Sequence, residues 1–168
     1  MRLALLYLLV PLLAHAAEPT LLPDNTESPG AVNPAVTQDN IQETICHRGW
    51  SAHARPPVEF TEPIKRHLLQ EHYPGVAPKG FELDHRVPIE AGGCPNCASN
   101  LWVQPWRDPA HHHCTPTELM DAACKDRLEN YVHRQICSGE MTLAQGQKVF
   151  LGNWIDAYNS LWPTNHIQ

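Results

Sequence analysis

The sequence has no excess of basic residues and no apolar run long enough to cross a membrane. Lysine and arginine number 12 against 18 aspartate and glutamate residues, which gives a formal net charge of −6 at pH 7. Proteins that hold nucleic acid by bulk charge are usually basic. Any phosphate contact must therefore come from a local patch or a metal ion. The longest apolar run, Leu3 to Leu13, covers about 11 residues, whereas a membrane-spanning helix needs about 20.

The first residues have the pattern of a secretory signal peptide. Met1-Arg2 provides a positive start, the apolar run follows, and Ala14-His15-Ala16 has the small-x-small form of a cleavage site. We predict cleavage after Ala16, so residues 1–16 are removed and the balance of the mature chain becomes −7 through the loss of Arg2. The mature protein is then exported to the periplasm or secreted, with no membrane attachment.

The remaining chain divides into two parts by composition. Residues 17–40 are rich in proline, threonine, asparagine and acids without an apolar period, which predicts a flexible leader with little core. An apolar pattern begins at Ile41, and a single folded domain is predicted over residues 41–168. No internal repeat is present.

The patterns within this domain predict an α+β fold. Apolar and polar residues alternate over Phe81–His85, which indicates a strand, and Val87–Ile89 is predicted as a second short strand. His47–Pro57 reads as loop or short strand. Apolar spacing and capping signals predict three helices, over Thr61–Tyr73, Pro116–Cys137 and Thr142–Tyr158.

The most informative stretch runs from Phe81 to Gly93 and continues at Asn100-Leu101-Trp102. It places an acid, Asp84, directly before a histidine, His85. Hydrolysis of a phosphodiester needs a base that takes a proton from water and a cation that stabilises the developing charge. Adjacent strand residues point to opposite faces, so the pair can serve one site only if the strand ends or bends there. The plainer alternative is a turn residue beside a half-buried, hydrogen-bonded histidine.

This order of residues resembles the core of the HNH nucleases, the ββα-metal family. Further segments between Ile41 and Tyr158 look like a group of small exported bacterial HNH-like proteins. These segments are Thr44-Ile45-Cys46, Gly49-Trp50, Arg55-Pro56, Leu101-Trp102-Val103-Gln104-Pro105, Lys125-Asp126-Arg127-Leu128-Glu129, Cys137-Ser138-Gly139 and Asn153-Trp154-Ile155.

The resemblance implies a ββα-metal core, a hairpin followed by a helix with a metal ion between them, accompanied by additional helices. Asp84 would be a metal ligand, His85 the general base, and Asn100 the residue that orients this base. Lys125 would contact a phosphate, or form an ordinary surface pair with Glu129. The second ligand would come from the helix or the segment before it, with Glu129 favoured over Asp126, His133 and His113.

Six cysteines remain after cleavage, an even number that favours disulfides in an exported chain. The family resemblance pairs Cys46 with Cys137. The other four, Cys94, Cys97, Cys114 and Cys124, would then pair with one another and tie the hairpin loop to the inserted segment and helix. A structural Zn²⁺ held by four thiolates and a redox-active Cys-x-x-Cys are the alternatives. The triplet His111-His112-His113 is either an exposed loop or a binding site for transition metals.

Together these features predict an exported, disulfide-stapled endonuclease that uses Mg²⁺ or Mn²⁺. Its substrate would be nucleic acid, DNA before RNA, cut with little sequence preference. The alternative is an exported binding or structural module that keeps the HNH-like scaffold without catalysis. The sequence carries no signal for an inhibitor partner or for an oligomeric state.

Overall fold

A computed structural model describes residues 19–106, 114 and 121–163. These residues form a mixed α+β fold with five α-helices and one small antiparallel sheet of two strands. The helices are α1 (Trp50–Ala54), α2 (Val58–His72), α3 (Ala122–Ser138), α4 (Leu143–Leu151) and α5 (Trp154–Leu161), and the strands are β1 (Phe81–His85) and β2 (Leu101–Pro105).

The predicted strand Phe81–His85 is confirmed as β1, but the second predicted strand is wrong. Val87–Ile89 does not pair with β1, because the chain turns through a short 3₁₀ helix at Ile89–Ala91 and returns as β2. Gly93 makes this turn possible. A Cβ at that position would lie 1.8 Å from the Val87 carbonyl oxygen, so the close approach requires glycine.

Helices α1 and α2 differ from the predictions at their starts. The predicted loop contains the short α1, and α2 begins at Val58 with Pro57 at its N-cap, three residues before Thr61. Pro63 consequently lies inside the helix. The Thr61 hydroxyl donates weakly to the carbonyls of Pro57 and Val58 at 3.5 and 3.4 Å, so it does not cap a helix of its own.

Helix α3 ends where the sequence predicts, at Gly139, which has a φ of +81°. Asp121 caps its start by accepting a hydrogen bond from the backbone of Cys124, and the predicted cap at residues 115–118 lies outside the described residues. The single helix predicted over Thr142–Tyr158 is two helices. Asn153 ends the run because its side chain accepts hydrogen bonds from the next helix and caps α5.

The main core packs the apolar side of α3 against α4 and α5. Its buried members include Cys124, Leu128, Val132, Ile136, Phe150, Trp154 and Tyr158. A smaller cluster joins α2 to the sheet through Leu69, Tyr73, Phe81 and Val103.

Part of the stretch predicted as a flexible leader packs onto this body. Val36 belongs to the main core, and the hydroxyl of the buried Ser28 donates to the Leu101 carbonyl at 2.7 Å. The Trp154 indole donates to the Leu21 carbonyl at 3.0 Å. The packed chain therefore starts before Ile41.

All six cysteines are paired, as Cys46–Cys137, Cys94–Cys97 and Cys114–Cys124. The first pair agrees with the prediction. The idea that the other four tie the hairpin loop to the inserted segment is wrong, because the Cys-x-x-Cys closes on itself. Asn100 brings the two ends of that loop together, since its side-chain amide donates to the Cys94 carbonyl and its backbone N–H to the Cys97 carbonyl.

The disulfides indicate an oxidising, non-cytoplasmic location. They also leave none of the six sulfurs as a thiolate for the alternative zinc site. Among the described residues, no helix is both long and apolar enough to cross a membrane. The predicted signal peptide, residues 1–16, lies outside them.

Candidate functional site

The end of β1 meets α3 at a buried group of charges. The Nζ atom of Lys125 lies 2.6 Å from Oδ2 of Asp84, contacts Oε1 of Glu129, and donates a hydrogen bond of 3.0 Å to the carbonyl of His85. Only 1% of the Lys125 side chain is exposed. A lysine thus lies between the two carboxylates that the sequence predicts as metal ligands.

Local geometry explains why these side chains meet. Lys125 and Glu129 are four residues apart on α3, so they share one face of the helix. Glu82 and Asp84 are two residues apart on β1, so they share one face of the strand. Packing α3 against β1 brings the two faces together.

The site holds more negative charge than its lysine balances. Burial alone would lower the pKa of Lys125, but Asp84 and Glu129 outweigh it and raise that pKa, so the ammonium stays charged. Burial raises the pKa of Glu129 to about 8, and repulsion from Asp84 adds to this effect. Burial, followed by repulsion from Asp84, also raises the pKa of Glu82 to about 9. A further positive charge would stabilise the ionised carboxylates.

The His85 imidazole is buried and held by the backbone. Its Nε2 lies 2.9 Å from the carbonyl oxygen of Pro95. A carbonyl oxygen only accepts hydrogen bonds, so Nε2 carries the proton and Nδ1 keeps a free lone pair. Burial lowers the pKa of His85 below its ordinary 6.5, and the nearby positive charge of Arg55 contributes. The ring is therefore neutral at pH 7 and able to accept a proton.

His85 lines a cleft of about 250 Å³ between α2 and β1. The other lining residues are Arg55, Pro56, Val58, Thr61, Glu62, Lys65, Glu82 and Leu83.

Asn100 does not touch the imidazole, so it does not orient His85 directly as the resemblance implies. It is wholly buried, and its Oδ1 accepts hydrogen bonds from the backbone of Val87 and Ala31 at 2.9 and 3.2 Å. Its Nδ2 donates to the Val87 and Cys94 carbonyls at 3.0 Å. Asn100 therefore fastens the loop that carries Pro95, and any effect on His85 passes through that loop.

The other candidate residues lie apart from this arrangement or play another part in it. Lys125 is too deeply buried to contact a phosphate, contrary to its expected role. Asp126 is exposed and adds repulsion that raises the pKa of Glu129. Nε2 of His133 lies 2.9 Å from the Ile45 carbonyl, far along α3 from Glu129. His113 lies outside the described residues.

His133 belongs to a second group with the spacing of a metal site. One of its ring nitrogens and the sulfurs of Cys46 and Cys137 all lie within 4.8 Å of one another. Such a group could hold a metal ion. However, the two sulfurs form a disulfide and cannot serve as thiolate ligands until it is reduced.

Two functional residues were missed by the sequence reasoning. Glu82 joins the acidic group, and its position two residues before Asp84 on a strand was the available signal. Arg86, which directly follows His85, is buried and donates to the carbonyls of Ser28, Phe150 and Leu151. No local pattern predicts those long-range partners.

Comparison with family models finds no match, and comparisons with curated proteins and with solved structures find none either. The argument for a function therefore depends on the residues and the geometry given above.

Proposed function

We propose that the protein is an HNH-type endonuclease that hydrolyses phosphodiester bonds of nucleic acid, with β1, β2 and α3 as its ββα-metal core. The observation that carries this proposal is the pairing of His85 with Asp84. A neutral imidazole with a free Nδ1 directly follows a carboxylate that meets a second carboxylate, Glu129, from the helix.

In the proposed reaction His85 is the general base. Its Nδ1 takes a proton from water, and the resulting hydroxide attacks phosphorus while the bond to the leaving oxygen breaks. The hydrogen bond from Nε2 to Pro95 keeps the ring in the required tautomer and orientation. Asn100 acts as a positioning residue, because it fastens the loop on which that carbonyl lies.

Asp84 and Glu129 fit a divalent cation such as Mg²⁺ or Mn²⁺. Carboxylate oxygens are the ligands that Mg²⁺ prefers, and one or two carboxylates commonly suffice when water and substrate phosphate fill the other positions. The raised pKa of Glu129 supports the fit, since it reflects negative charge that Lys125 leaves unbalanced. When bound, the ion would neutralise charge on the phosphate and on the leaving oxygen.

The expected substrate is DNA, with RNA second, and the expected location is the periplasm or the medium outside the cell. Export follows from the predicted signal peptide, and the disulfides support it.

The test is a supercoiled-plasmid nicking assay on the oxidised mature chain, with Mg²⁺, Mn²⁺ or EDTA at low salt. We expect nicking that requires the metal and falls by roughly 10²–10⁴-fold in His85→Ala, the range typical for loss of a general base. His133→Ala is the matched control, because His133 makes the same 2.9 Å contact from Nε2 to a backbone carbonyl outside the site. It should nick like the wild type.

Undiminished nicking by His85→Ala would remove the proposed base. Absence of nicking by folded, oxidised wild type in every metal would favour the second candidate, a non-catalytic binding or structural module. One observation favours that candidate: the Lys125 ammonium already bridges Asp84 and Glu129, so any metal ion must compete with it.

A further inference from the structure

The cleft beside His85 carries two positively charged side chains whose charges are unused by the fold. Arg55 and Lys65 both line it. Within the described residues, neither side chain has a hydrogen bond or an ion pair, in contrast to Arg86 and Lys125. The fold thus leaves a guanidinium and an ammonium available for a ligand.

The two cations reach the cleft from different elements. Arg55 directly follows α1, where Pro56 and Pro57 hold the chain extended before α2 begins. Lys65 lies on α2, seven residues after Val58 and four after Thr61, so these three share the helix face that lines the cleft. His85 lines the same cleft from the end of β1.

Their chemistry is that of a site for phosphate. A guanidinium offers parallel N–H donors that match two phosphate oxygens, and an ammonium adds a compact charge. The chain as a whole is acidic at −6, so bulk attraction cannot bring a polyanion to His85. A local pair of cations at the proposed base supplies what the net charge lacks.

We infer that this cleft binds the phosphodiester backbone of a nucleic-acid strand, with Arg55 and Lys65 as the phosphate-binding residues next to His85. The inference rests on the proposed function, since it names the surface by which the substrate is positioned. Neither residue touches the charged group between β1 and α3, so phosphate binding by them does not require the metal.

Two acids, Glu62 and Glu82, also line the cleft, and they sharpen the inference. Glu62 lies on α2 beside Lys65, so its negative charge opposes an incoming phosphate. If the cleft is the binding site, neutralising Glu62 must strengthen binding while neutralising Lys65 weakens it. Binding elsewhere on the surface gives no reason for opposite effects of two neighbouring residues.

The test measures binding of a fluorescent twelve-residue oligothymidylate by anisotropy, in EDTA, to the oxidised mature chain. Arg55→Gln and Lys65→Gln should each reduce the slope of log affinity against log salt by about 0.7, the value for one phosphate contact on a single strand. That slope corresponds to a loss of about eightfold at 0.05 M salt relative to 1 M. Glu62→Gln should bind more tightly than the wild type.

Matched controls separate the cleft from general charge. Arg48→Gln and Arg66→Gln each remove one positive charge from an exposed side chain that does not line the cleft. Both should bind like the wild type, and thermal unfolding should show that every variant is folded.

The inference is overturned if wild type does not bind the oligonucleotide. It is overturned equally if Arg55→Gln and Lys65→Gln leave binding unchanged, or if the Arg48 and Arg66 variants weaken it as much. These outcomes are distinct from failure of the proposed function. Protein that binds through the cleft but never nicks plasmid contradicts the nuclease alone, whereas protein that nicks normally through unaffected variants contradicts the phosphate site alone.

Discussion

The two sides of α3 have very different neighbours. Toward α4 and α5 the helix buries apolar side chains, among them Leu128, Val132 and Ile136. Toward β1 it buries Lys125 against Asp84 and Glu129. Both sides are closed to water, but one is held by the hydrophobic effect and the other by charges taken out of solvent.

The difference separates what makes the fold from what we propose it is for. Apolar burial stabilises the folded chain by about 25 cal/mol for each Å² removed from water. A buried group of charges contributes little on balance, because desolvation offsets the attraction between them. The apolar side of α3 therefore accounts for the fold, while its charged side has no such justification. We propose that the charged side is retained for chemistry at Asp84 and His85.

The largest expected effect on stability comes from Lys125→Met. It leaves two buried carboxylates facing each other, and loss of one partner of a buried ion pair typically costs about 3–5 kcal/mol of unfolding free energy. Mn²⁺ should restore part of this loss, because a cation that binds only the folded state stabilises it. Urea unfolding with and without the metal measures both effects.

Leu128→Ala provides the comparison from the opposite side of the same helix. The wholly buried leucine should cost roughly 2–5 kcal/mol, and Mn²⁺ should restore no more of it than it adds to the wild type. If Lys125→Met is as stable as wild type, or gains nothing from Mn²⁺ beyond what Leu128→Ala gains, the distinction between the two sides fails.

A smaller effect is expected on the pH dependence of stability. The folded state keeps the proton of Glu129 up to a pH of about 8, whereas the unfolded chain releases it near 4.5. This group therefore stabilises the fold below pH 4.5, and its contribution is lost as the pH rises through 8. Glu129→Gln should unfold with a weaker decline in free energy between those values. An equal decline in both proteins would show that Glu129 keeps its ordinary pKa.

Local signals in the sequence were enough to predict parts of the fold. The alternation in β1 and the glycine at position 139 each depend on a few neighbouring residues, and both predictions are confirmed. The turn after Pro88 and the break at Asn153 were missed, because each competes with an apolar pattern that continues through it. The packing of Ser28 and Val36 depends on partners distant in the chain, which composition does not reveal.

The candidate site was predictable in membership but not in arrangement. Asp84 and Glu129 do come together around one point. The i,i+4 pair of Lys125 and Glu129 looks the same in sequence whether it lies on the surface or in the interior, so the burial of Lys125 was not foreseen. Asn100 was expected at the imidazole, but its four hydrogen bonds to backbone groups become visible only once the loop is folded.

The central claim is that His85 is neutral at pH 7, with its proton on Nε2 and a free lone pair on Nδ1. Ring ¹⁵N NMR of the mature chain measures both properties through a pH titration, with the His85 signals identified by their loss in His85→Ala. We predict an Nε2–H tautomer and a pKa below 6.5. A ring that is charged at pH 7, or that carries its proton on Nδ1, would contradict the assignment of His85 as the general base.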